Sequence, residues 1–234
     1  MKKILTLITA ITFVSLSIAA PLAKDHCKAY FPIEKGTKLT YENYSKKDKL
    51  ESTDVMEVMD ILETAEGLLI KIHASSVDKK GKETYDSDFE YRCEGNKFYV
   101  SLESMMDGEM MAPYKDMEVE IEQTDLVIPS ALEVGATLPD GSITMNVKSN
   151  GIQIMSMKIE ITDRKVEAIE EMTTDAGTFT CFKMSQNSTM NMGFTNKTYK
   201  SVDWIAENVG SVRSESYNDS GELQSYRVLK SIEK

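Results

Sequence analysis

The chain has 234 residues, with 27 Lys and Arg against 38 Asp and Glu, 41% hydrophobic residues, 12 Gly, 5 Pro and 3 Cys. That composition excludes collagen-like and disordered chains and supplies enough apolar residues for one sizeable core. A formal charge of −11 argues against nucleic acid and anionic membrane surfaces as partners, because both attract cations.

Lys2 and Lys3 precede an uncharged, largely apolar stretch that ends in small residues at Ala19, Ala20 and Ala23. This order of charged, apolar and small residues predicts a secretory signal peptide over residues 1–23, cut after Ala19 or Ala23. Cys27 follows Lys24, Asp25 and His26 rather than small residues, so lipidation there is not expected. The mature protein, 24–234, is expected to be a single soluble domain in the periplasm or outside the cell, where disulfides persist. Cys93 and Cys181 fall on apolar sides of predicted strands, whereas Cys27 lies just ahead of the first strand. The expected disulfide joins Cys27 and Cys93 and leaves Cys181 a buried thiol; three reduced cysteines are the alternative. Such a bridge stabilises a fold by up to about 4 kcal/mol on the chain-entropy account.

From Lys38 onward the apolar residues mostly alternate. Leu68, Ile70 and Ile72, then Phe89, Tyr91 and Cys93, then Phe98, Val100 and Leu102, each occupy every second position, as in strands with one wet side. The stretch from Val55 to Leu62 fits helical spacing nearly as well, and we read it as a strand. Met117, Val119 and Ile121 alternate with Glu118, Glu120 and Glu122, which predicts another strand whose carboxylates face water. From Ile152 and Ile154 the apolar set jumps to Met155, Met157, Ile159 and Ile161, the mark of a β-bulge. Turn-forming residues at 46–49, 78–81, 94–96, 139–141, 149–151, 175–177 and 218–221 separate these runs. The pattern predicts a mainly β domain of long antiparallel strands, covered by a short helix or lid over 101–117 that carries Met105, Met106, Met110 and Met111.

Chemical motifs are sparse. Of two histidines, His26 is expected in the tail and His73 on the polar side of its strand. The sequence holds no nucleophile elbow, zinc-protease helix, paired-cysteine motif or phosphate loop, so no catalytic residue, metal site or cofactor is expected. The 15 methionines suit an irregular core or an adaptable apolar cavity better than a copper site, although thioethers do ligate Cu(I). Trp204, alternating with Val202 and Ala206, reads first as a large core residue and second as a pocket wall.

Residues 27–44, 91–102, 175–184 and 204–229, with the Ala-Gly-Thr-Phe-Thr-Cys turn and the Val-Gly-Ser-Val-Arg-Ser-Glu stretch, resemble the TapB family of secreted bacterial proteins. That family is related to domain of unknown function 3108. The resemblance implies Bacteroidetes-type bacteria and long antiparallel strands in a curled open sheet, similar to the half-barrels of the lipoprotein carriers LolA and LolB. It implies no activity and no functional residues. The apolar inner face, the flexible methionines and the secretory leader point to a non-enzymatic, monomeric binding protein for a lipid-like ligand, expected to be lined by Met105, Met106, Met110, Met111 and Trp204. The alternative is an envelope interaction protein that works through sheet edges.

Overall fold

The computed structural model describes residues 28–102, 114, 117–192 and 196–234. The expected signal peptide, Cys27 and the four lid methionines, Met105, Met106, Met110 and Met111, lie outside the described residues.

Thirteen strands form one sheet in which every neighbouring pair is antiparallel: β1 (Lys38–Ser45), β2 (Leu50–Glu63), β3 (Gly67–Asp78), β4 (Glu83–Glu94), β5 (Lys97–Val100), β6 (Glu118–Thr124), β7 (Leu126–Pro129), β8 (Gly141–Ser149), β9 (Ile152–Thr174), β10 (Gly177–Asn191), β11 (Asn196–Ala206), β12 (Gly210–Tyr217) and β13 (Leu223–Glu233). The order is β6-β8-β9-β10-β11-β12-β13-β1-β2-β3-β4-β5-β7. No α-helix occurs among the described residues.

The alternation seen in the sequence sorts residues between the two faces. Leu68, Ile70 and Ile72 of β3 are buried and lie opposite Cys93, Tyr91 and Phe89 of β4. The bulge between β8 and β9 falls where the apolar jump placed it: Val147 pairs with Met155 and Lys148 with Gln153, so Ile154 is the extra residue. A second bulge explains the ambiguous stretch in β2. Val58 pairs with Ile72 and Asp60 with Lys71, which makes Met59 the extra residue and leaves it exposed.

Closure depends on how the sheet's two ends are joined. β6 pairs with β8 and β7 pairs with β5, yet only Asp125 separates β6 from β7. One run of backbone therefore leaves one end of the sheet and joins the other, curling the sheet into a nearly closed barrel, beyond the open half-barrel expected. Arg92 of β4 holds Asp125 through a salt bridge. Gly141 leaves room for the crossing: a Cβ there would lie 2.6 Å from Leu126 Cδ2 and 3.1 Å from the Thr124 carbonyl oxygen.

Arg164 ties the same seam from within. It is only 2% exposed, because a bulge at Asp163, whose φ is +52°, turns the next side chain inward. Its guanidinium donates to the carbonyls of Val127 and Pro139 and to Gln186 Oε1. Burial pushes its pKa down to about 10, with Asp140 and Asp203 opposing the shift. Beyond β7 the chain crosses to β9, where Gly135 and Leu138 N–H groups donate to the Val166 and Arg164 carbonyls.

The interior contains a large cluster around Leu39, Tyr41, Ile70, Phe98 and Leu229 and a second around Ile143, Met145, Val147 and Met157. Ala29, Tyr30 and Phe31 belong to the first cluster although they precede β1. The Ala29 carbonyl accepts the Asn208 N–H, and Lys28 pairs with Glu207.

Two substitutions test the frame. Arg164→Gln should lower unfolding free energy by on the order of 3 kcal/mol in urea titrations, because buried carbonyls lose a charged donor; an unchanged midpoint would show that the seam does not depend on it. Gly67→Ala would place a Cβ 1.8 Å from the Cys93 carbonyl oxygen, where only backbone movement relieves the clash. A loss of at least about 2 kcal/mol is expected in the same titration.

Candidate functional site

A cavity of about 790 Å³ opens into the barrel between the N-terminal segment and β1–β5, with β11–β13 completing the wall. Its deep end is aromatic. The Phe31 and Tyr91 rings meet edge-on at 5.3 Å between centroids, Tyr91 lies 5.2 Å from Phe89 and 5.6 Å from Phe98, and Tyr30 packs 6.4 Å from Phe98. These rings face inward because β4 and β5 continue the alternation that buries Cys93 and Phe98. Burial pushes the Tyr30 and Tyr41 phenols up to about 12, so both stay neutral.

The other end is polar. Asn43 of β1 lies directly opposite Ser52 of β2 and Arg227 of β13, and Tyr41 lies opposite Asp54. Asp54 gathers this end together: it accepts from Asn43 Nδ2 at 2.7 Å and from Ser76 Oγ at 2.7 Å, and pairs with Arg227 Nη2 at 3.4 Å. The Arg227 guanidinium lies over the Tyr41 ring at 3.9 Å, with its Nε buried and without an acceptor. The wall is thus aromatic at one end and hydrogen-bonding at the other.

Other polar groups lie apart from it. Asp203 on the inner face of β11 accepts from Ser214 and Gln186, and burial raises its pKa. Trp204 does not line the cavity. It packs with Cys181, Ala206 and Val212 in a third cluster, donates to Glu170 Oε2 at 2.8 Å and has Lys183 Nζ 5.1 Å above its ring. That hydrogen bond is the main reason the Glu170 carboxyl titrates below its usual range. Cys93 is disulfide-bonded and Cys181 is free and buried; the expected partner of Cys93, Cys27, is outside the described residues. Burial pushes the Cys181 thiol up to about 11, which removes its nucleophilicity at neutral pH.

His73 sits away from the cavity, on the wet face of β3, 2.7 Å from Asp88 and 3.6 Å from Asp86. No group of three metal-ligating side chains occurs among the described residues. Sequence reading missed Asn43, Asp54 and Arg227, because polar residues on an alternating strand read as its wet face. The one available signal was position: Asn43 follows Leu39 and Tyr41 in the same alternating set.

A nearly closed, barrel-like antiparallel sheet around a cavity defines the fold class. The chain belongs to the DUF3108-like family, whose model matches residues 34–229. A crystal structure from Bacteroides fragilis, of a protein assigned as exported and as YmcC-like in fold, is 25% identical with a TM-score of 0.73, covering 89% of this chain and 100% of that one. Another, from Parabacteroides distasonis and assigned as a lipoprotein, is 23% identical with a TM-score of 0.74, covering 88% of this chain and 99% of that one. Among curated proteins no match is found.

The Asp88 hydrogen bond, ahead of smaller Coulombic contributions from Asp86, Asp88 and Glu57, raises the His73 pKa above its ordinary value of 6.5 despite an opposing burial cost. A raised cationic pKa contributes stability that is complete below the unfolded value and is lost as pH rises through the folded one. NMR titration should place the His73 midpoint above 6.5, and Asp88→Asn should bring it down. A midpoint unmoved by that change would remove Asp88 as the cause.

Proposed function

We propose that this protein is a non-enzymatic carrier or receptor that holds one apolar or amphipathic, lipid-like ligand outside the cytoplasm. The observation that carries the reading is the cavity: its 790 Å³ falls within the range of small-molecule sites, about 300–1,000 Å³, and its aromatic and polar ends are segregated. The secretory leader read from residues 1–23 and the exported and lipoprotein assignments of the two structural relatives support the compartment. Binding is favoured over catalysis because Asp54, the half-buried carboxylate at the cavity's polar end, is engaged by Asn43, Ser76 and Arg227. A place within the TapB branch and a monomeric state belong to the same proposal.

Interaction with an envelope protein is a second reading, favoured by Ile152 and Ile154, which are 69% and 54% exposed beside the β8–β9 turn. Cross-linking from that turn in intact cells tests it, and the absence of any protein adduct would count against it.

Native mass spectrometry of protein recovered from its secretory compartment, before and after mild organic extraction, tests the carrier reading. A lipid-sized adduct that extraction removes is expected. Ala74 is 6% exposed and lines the cavity, so Ala74→Trp should abolish the adduct by filling the space. Retention of the adduct in that variant would place the ligand elsewhere, and its absence from the unextracted wild type would overturn the reading.

A further inference from the structure

We infer that the polar end of the ligand is uncharged and bears hydroxyl or amide groups; this rests on the carrier reading above. The charged side chains in the cavity wall are Glu51, Asp54, Asp78 and Arg227, and each carboxylate already has its counterpart. Asp54 is paired with Arg227 at 3.4 Å, and Glu51 with Lys79 at 2.8 Å. Asp78 Oδ1 accepts the backbone N–H groups of Lys80 and Lys82 at 2.8 and 3.0 Å.

Arg227 Nε is buried without an acceptor, but an anionic head that accepted from it would lie beside Asp54, which is 3.4 Å from the same guanidinium, and would face a like charge. The remaining carboxylates would add to the repulsion, since the wall holds three of them against one guanidinium. A cationic head at Asp54 meets a carboxylate that already accepts from Asn43 and Ser76 and is paired with Arg227; it would face the like charge of that guanidinium and forfeit its own hydration on entering an aromatic-lined space. What the wall can exchange is neutral: Ser52 and Ser76 border the cavity, where Ser52 Oγ accepts from Asn43 and keeps its own O–H, and Ser76 Oγ donates to Asp54 and keeps its lone pairs. An uncharged head replaces water on these groups without separating an ion pair.

The delipidated full chain would be titrated with three probes of one acyl length, below their aggregation thresholds: monooleoylglycerol, oleate and oleylamine. Monooleoylglycerol is expected to bind at least about 10-fold more tightly than either charged probe. Asp54→Asn, which keeps the side-chain shape and frees Arg227, should tighten oleate binding and leave monooleoylglycerol little changed. Glu51→Gln, at the more exposed mouth, should move oleate in the same direction and is insulated from any folding defect at Asp54. Oleate or oleylamine binding as tightly as monooleoylglycerol to the wild type would overturn the head-group inference while leaving the carrier reading intact. Binding of none of the three would remove both.

Discussion

A sheet with one apolar face has to cover that face, and here it does so by meeting itself. The covering depends on the run of backbone from Glu118 to Pro129, which pairs with β8 before Asp125 and with β5 after it. Neither half is long, and neither would close a thirteen-stranded sheet alone. The crossing is possible because Gly141 lacks a side chain where Leu126 and Thr124 pass. It is stabilised because Arg164 brings a buried, charge-assisted donor to the Val127 carbonyl of β7 and to the Pro139 carbonyl ahead of β8.

The cavity follows from that closure. Once the ends of the sheet meet, the inward faces of β1–β5 and β11–β13 enclose a space rather than lie against a second layer. Part of that space is taken by Tyr30 and Phe31, which come from the segment ahead of the first strand. The remainder is graded from aromatic to hydrogen-bonding, because β1 to β3 each carry the inward alternation on into polar residues: Asn43 after Tyr41, Asp54 before Met56, Ser76 after Ala74.

The strands were legible because burial on one side imposes a period of two, and the departures were legible where they changed that period. Ile154 shows as a jump in the apolar set, and the structure puts a bulge there. Met59 shows as ambiguity: the inward residues Met56, Val58 and Ile61 are spaced by two and then three, a mixture that imitates a helix. The closure was not legible. Nothing in Gln123-Thr124-Asp125-Leu126 signals a change of partner, since a strand keeps its own conformation whichever side it bonds. Arg164 was invisible because a charged residue is ordinarily a solvated one, and it is turned inward only by the bulge at Asp163. The polar end of the cavity was hidden by the same rule, since Asn43, Asp54 and Arg227 carry no motif and meet only through register. Trp204 was read first as core and second as pocket wall, and it lies away from the cavity in a small cluster with Cys181.

The crossing at Asp125 also bears on self-association. The outer strands of a sheet present unpaired N–H and C=O groups, which recruit other chains and seed aggregation. In this protein the two outer strands are one continuous stretch, so an invading strand cannot draw β6 outward without pulling β7 from its ladder with β5. A strand approaching β7 finds the Val127 carbonyl already taken by Arg164. Protection of these edges comes from the path of the backbone, and it would be lost with any cut or insertion that made β6 and β7 independent.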